Sequence, residues 1–201
     1  MSELFTAADT WDGGFYEIAI ELGPRSDERL RTALETIWQY DGLNGCYEDS
    51  QVEPSDQPRL MPSLETRQLG VATLPNGRQS ACGTFTVREN NGPDWIGFYL
   101  PMGALASVYN VGAYPFEDDK TSRTWREPLD DWLTKMAGVV FSAVPFSLAL
   151  IGHEVSGMTY AEEIHNTGMP AERWVGYLWR EGEHLVWYPP TRYDPDFTFA
   201  S

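Results

Sequence analysis

Residues 15–42 read FYEIAIELGPRSDERLRTALETIWQYDG, and the fold class turns on them. Over 15–22 the residues Tyr16, Ile18, Ile20 and Leu22 alternate with Phe15, Glu17, Ala19 and Glu21, the period-2 pattern of a strand with one apolar and one mixed face. Gly23-Pro24 breaks that period. Ser26 then supplies a side-chain oxygen suited to a helix start, and Asp27 and Glu28 fall in the first turn, where the exposed amide dipoles favour negative charge. Leu30, Ala33, Leu34, Ile37 and Trp38 follow at helical spacing and form one apolar stripe, which Asp41-Gly42 ends. A strand handing directly to an amphipathic helix is the seed of a layered fold of helix on sheet.

The rest of the chain extends that seed. A short strand is expected near 43–48, then a polar, Pro-containing loop over 49–62, read as a mobile excursion within one domain spanning 1–201. Strands over 65–74 and 80–88 flank Pro75-Asn76-Gly77-Arg78, whose Asn-Gly step suits a tight hairpin, and a third strand is expected at 95–100. Trp125, Leu129, Trp132, Leu133, Met136 and Val140 recur at helical intervals, predicting a second main helix that starts at Thr124 or Glu127, with Pro128 in its first turn. An apolar strand over 146–151, a short helix introduced by Thr159 and Glu162, and a hairpin of 173–180 with 183–188 complete the order. Tyr193, Phe197 and Phe199 are expected to pack as an extended tail. The predicted class is α+β: a largely antiparallel sheet with two main helices on one face, in a ferredoxin-like layout with insertions.

Composition bounds the function. Thirty Asp and Glu oppose fourteen Lys and Arg for a net charge of −16, in a chain that also carries eight Trp, ten Tyr and nine Phe. Acidic chains that stay unfolded lack such apolar bulk, so this is a folded acidic protein. Direct nucleic-acid binding is disfavoured, because cations must replace the counterions of a phosphate backbone, and an anionic membrane is disfavoured on the same ground. No apolar run reaches membrane-spanning length, and no basic region precedes an apolar segment at the N-terminus, which together predict a cytoplasmic protein. Cys46 and Cys82 are expected to be buried thiols, and no cofactor or metal is expected.

Two readings of function follow. In the first, the chain is a non-catalytic protein that binds a basic protein and neutralises it, as an inhibitor or immunity protein does. Carboxylates would stand in for phosphates in a nuclease-like cleft, and aromatic anchors would be buried after electrostatic steering. The binding residues on this reading are Glu48, Asp49, Glu53 and Asp56 in the first loop, Glu117, Asp118 and Asp119 in the second, and Trp174, Trp179, Glu181, Glu183 and Trp187 in the terminal hairpin. The reading requires the first loop to lie beside that hairpin if both serve one surface. In the second, a small metal-dependent or acid-base hydrolase uses His153, Glu154 and His165, although the two-His helical spacing of zinc proteases is missing. A second copy of the chain, joined through the terminal hairpin, is a further partner class. The adjacent acids Asp130-Asp131 and Glu162-Glu163 read as solvated faces, and Cys82 and Ser80 lie in a strand rather than on a nucleophile's tight turn.

Overall fold

Strand β1 (Phe15–Gly23) pairs antiparallel with β5 (Asp94–Pro101) on one side and with β6 (Leu148–His153) on the other. The computed structural model describes residues 4–90, 92–111 and 119–192. Around that central strand the chain forms α1 (Asp27–Trp38), β2 (Leu43–Tyr47), β3 (Gln68–Thr73), β4 (Gln79–Arg88), α2 (Met102–Ala106), α3 (Asp119–Ala143), α4 (Ala161–Thr167), β7 (Gly176–Glu181) and β8 (His184–Tyr188). The eight strands make one antiparallel sheet in the order β2-β3-β4-β5-β1-β6-β7-β8. The α+β class and the packing of helices on the sheet are as the sequence predicts. A ferredoxin-like layout has four strands, whereas here β2 and β3 extend one flank of the central four and β7 and β8 the other.

The main core lies between the sheet and the pair α1 and α3. Tyr16, Ile18, Ile20 and Leu22 of β1 meet Leu30, Leu34 and Ile37 of α1 and Leu129, Leu133, Met136 and Val140 of α3, all buried. Each side chain is the one its periodicity selects. Ser26 caps α1 by accepting from the Arg29 amide at 3.3 Å, as its place before the acidic first turn implies. At the first hairpin, Gly77 takes the left-handed conformation at φ +77°, and the amide of Leu74 donates to the Arg78 carbonyl at 2.8 Å.

Three expectations are corrected. Helix α3 begins at Asp119, five residues or more before the expected start, and carries Pro128 in its interior. Pro128 is on the exposed side of the helix. The second face of the sheet is not left open. Phe5 packs there on Tyr47, Leu69, Val71 and Ala81, while Val155 and Val175 cover Ala19, Trp95, Leu148 and Leu150. Thr159 does not cap α4; its hydroxyl bonds Glu163 at 2.7 Å, and the first residue after the start, Ala161, donates instead to Glu21 of β1 at 2.7 Å. The solvated reading of Asp130 also fails, since only 3% of it is exposed. Tyr193, Phe197 and Phe199 lie outside the described residues.

Trp38 shows how closely helix and sheet approach. Its indole lies over two glycines of neighbouring strands, and a Cβ on Gly70 would fall 2.5 Å from the ring and 2.8 Å from the Asn44 carbonyl oxygen. The indole N–H is held by Thr84 Oγ1 at 3.1 Å, so the ring has little freedom to retreat. Gly70→Ala is therefore expected to lower stability by about 1–3 kcal/mol, the usual cost of overpacking a filled core. Urea denaturation should show a lower midpoint with an unchanged slope; an unchanged midpoint would mean the helix shifts freely over β3.

Candidate functional site

The loop that follows β2 is built rather than loose. The Gln57 side chain accepts from the amides of Glu48 and Asp49 at 3.3 and 3.1 Å and donates to the carbonyls of Asp49 and Val52 at 2.7 and 2.5 Å. One side chain thus satisfies four backbone groups that a loop without secondary structure would otherwise leave to water. Glu53 is turned inward, where one carboxylate oxygen accepts from the amides of Phe5 and Thr6 and from the Thr6 hydroxyl at 2.8–3.1 Å. The Leu60 amide donates to the Cys46 carbonyl at 2.8 Å and returns the chain to the sheet edge.

What this scaffold presents is a cavity of about 520 Å³ lined by Glu48, Asp49 and Asp56 with Val52, Pro58 and Leu60. All three carboxylates are exposed. Leu60 is 39% exposed and the adjoining Met61 is 82% exposed. Carboxylates and apolar side chains share this hollow with Ser50 and Gln57. Arg59 is the only base in 48–62, against four acids. Of the residues expected here, Glu48, Asp49 and Asp56 are brought together, and Glu53 is spent on holding the N-terminal segment.

The hairpin residues do not join them. β2 and β8 are the two opposite edges of the sheet, and at about 4.8 Å per strand the loop and the terminal strand stand roughly 30 Å apart. Trp174 and Trp179 pack half-buried on the cluster around Val155 and Val175, and Trp187 packs on the main core, its ring over Gly176. Glu181 accepts from the Tyr188 hydroxyl, and Glu183 pairs with Arg180 at 3.2 Å. Glu117 and Asp118 lie outside the described residues, while Asp119 is the first residue of α3.

His153 and Glu154 do meet, at the end of β6. His153 Nε2 lies 3.5 Å from the Gly13 carbonyl oxygen, and Glu154 adopts the left-handed conformation at φ +48°. Both reach over Gly14, where a Cβ would fall 2.7 Å from Glu154 Oε1 and 3.1 Å from His153 Nε2. His165 is exposed in the last turn of α4. Among the described residues no group of three or more His, Cys, Asp or Glu is placed to hold a metal ion. Burial pushes the Cys46 thiol up to about 12 and the Cys82 thiol well above its usual range, so neither is a thiolate at neutral pH.

Sequence reasoning missed the buried acids. Glu17 is 2% exposed and accepts from the Ser156 amide at 2.8 Å. Burial pushes its carboxyl up to about 7, against the lowering effect of the Ser156 and Val155 amides. Asp130 accepts from the Tyr16 hydroxyl, and Arg126 donates to that same oxygen at 3.4 Å and to the Trp174 carbonyl at 3.2 Å. Burial carries the Asp130 carboxyl up to about 7 as well. The only available signal was indirect: in β1 the acids fall between apolar residues in a strand that both neighbours bury.

Comparison with known protein families, curated proteins and solved structures gave no match.

The sign of the Glu17 effect is fixed by its direction. The folded value lies above the ordinary 4.5, so between about 4.5 and about 7 the unfolded chain has released a proton that the folded chain keeps. The contribution is complete below about 4.5 and is lost as pH rises through about 7. Glu17→Gln retains an acceptor for the Ser156 amide but cannot ionise. It should flatten the fall in unfolding free energy between pH 5 and 8, by at most about 3 kcal/mol at about 1.4 kcal/mol per pKa unit. Urea titrations of both proteins at the two pH values measure it, and identical slopes would refute the assignment.

Proposed function

We propose that this chain is a non-catalytic acidic protein that acts in the cytoplasm by binding a basic protein and blocking it. The observation that carries the reading is the cavity beside β2, where Glu48, Asp49 and Asp56 ring an apolar floor on a loop fixed by Gln57. Three exposed carboxylates that line one hollow attract a cation. A field of −16 speeds encounter with a basic partner and slows encounter with a second acidic copy, so the partner is a different protein rather than this one.

The partner inserts a Lys or Arg into the cavity, with Leu60 and Met61 supplying adjoining apolar contact. On this reading the anchor is the loop after β2, and the aromatic residues of the terminal hairpin serve the fold. No helix among the described residues is long and apolar enough to cross a membrane. The hydrolase reading is weaker, because His165 does not complete a metal-holding group with His153 and Glu154 among the described residues.

The test is capture at low ionic strength, elution with salt, and rebinding of the purified basic protein to defined variants. Glu48→Lys with Asp56→Lys is expected to weaken binding at least about tenfold, mostly through slower association. Trp179→Phe should leave it unchanged. Binding that is insensitive both to salt and to the double reversal would overturn the proposal.

A further inference from the structure

At the end of the sheet where β1 turns into α1, a cavity of about 570 Å³ is lined by Arg25, Arg29 and Arg180, with Ser26, Ser147 and Glu21. A chain with fourteen bases against thirty acids places three arginines around one hollow. They come from three elements. Arg25 belongs to the β1–α1 connection, Arg29 to the first turn of α1, and Arg180 to β7, whose backbone is hooked to this corner by its amide donating to the Ser147 carbonyl at 3.0 Å.

Two of the guanidinium groups are held in place by the fold. Arg29 donates through Nη2 to the carbonyls of Leu22 and Pro145 at 3.0 and 2.6 Å. Arg180 donates through Nε to the Gly182 carbonyl at 2.7 Å and through Nη2 to Glu183 at 3.2 Å. A guanidinium carries five N–H groups, so each keeps donors beyond those bonds, and Arg25 is exposed beside Asp27.

Three carboxylates of this corner have partners in the fold, although Glu21 lines the cavity and Asp27 also acts electrostatically on Arg25. Asp27 pairs with Arg88 at 2.6 Å, Asp94 accepts from the Ser26 amide at 2.9 Å, and Glu21 accepts from the Ala161 amide at 2.7 Å. Burial also holds the Glu21 carboxyl above its ordinary range. The remaining one, Glu183, is 87% exposed at its side chain, so an incoming anion can take its place on Arg180. The start of α1 is not counted as a donor, since Ser26 already caps it and Asp27 and Glu28 oppose an anion there.

We propose that this cavity binds a small phosphate-bearing anion, its oxygens shared among Arg25, Arg29 and Arg180. Arginine suits that task because its planar fork matches two phosphate oxygens at once. The volume falls in the range of small-molecule sites, leaving space for an organic group on the phosphate. The site is separate from the acidic loop, and the sign of its ligand is opposite.

Calorimetric titration of the full chain at low ionic strength, with inorganic phosphate in one arm and glycerol phosphate in the other, tests this. Saturable one-to-one binding is expected, with no response to sodium chloride at matched ionic strength. Tighter binding of glycerol phosphate supports an ester ligand, and equal binding supports recognition of free phosphate. Arg25→Gln with Arg180→Gln should weaken binding at least about tenfold, while Arg31→Gln on the exposed side of α1 should not. Arg29 is left intact because it bonds two carbonyls of the fold, and a thermal melt of the double variant checks that it is folded. No saturable heat from either ligand up to about 10 mM, or equal affinity in the folded double variant, would overturn the proposal.

Discussion

The two buried carboxylates of β1 tie the segment from Ser156 to α4 onto the sheet, beside the apolar contacts of Val155, Tyr160 and Ala161. Tyr16, Ile18, Ile20 and Leu22 bury against α1 and α3 by apolar contact, whereas Glu17 and Glu21 on the opposite face accept from the amides of Ser156 and Ala161. Those amides belong to the connection between β6 and α4 and to the start of α4, a helix of seven residues without a side-chain cap of its own. Such a helix is too short to be stable by itself, so its place depends on the strand beneath it. A buried acceptor aimed at an unpaired amide satisfies both partners, and removing either leaves the other buried and unpaired. The acid-rich composition therefore reaches into the interior, where it is structural.

That arrangement explains what was legible in the sequence and what was not. The alternation in 15–22 and the stripe from Leu30 to Trp38 follow directly from side-chain direction in strands and helices, and both elements appear where the pattern puts them. The Asn76-Gly77 turn and the short α4 were legible for similarly local reasons. Glu17 and Glu21 were not, because alternation with acids ordinarily marks a face turned to water. Asp130 was hidden by its neighbour: adjacent acids diverge around a helix, and only one of the pair is directed inward to Tyr16. The bonds that fix the loop over 49–62 run from Gln57 and Glu53 to backbone groups, and such bonds leave no period to read.

Strand order was the other illegible feature, and it decides how the candidate site is composed. Charge in the first third and aromatic residues in the last thirty residues look like two halves of one interface when laid along the chain. The sheet sends them to opposite edges, since β2 and the β7–β8 hairpin are separated by the central strands. Pairing between distant strands is set by packing of the whole sheet rather than by any local pattern. The loop after β2 brings carboxylates and apolar side chains together on its own, around Val52, Pro58 and Leu60.

The rigidity of that loop bears on how it would act. Ordering a flexible segment at an interface costs free energy for every side chain and backbone unit fixed, and the cost is subtracted from affinity. Here Gln57 and the Leu60-to-Cys46 bond have fixed the loop before any partner arrives. Glu48, Asp49 and Asp56 are thus held along one hollow by the loop's own hydrogen bonds. An approaching cation meets carboxylates that need not rearrange, so the long-range field governs how fast it arrives while the apolar floor governs how long it stays. The same constraint as in the rest of the fold operates here: Gln57 satisfies backbone groups of the loop and Asp49 accepts from the Gln51 amide, while Glu48, Asp49 and Asp56 stay exposed.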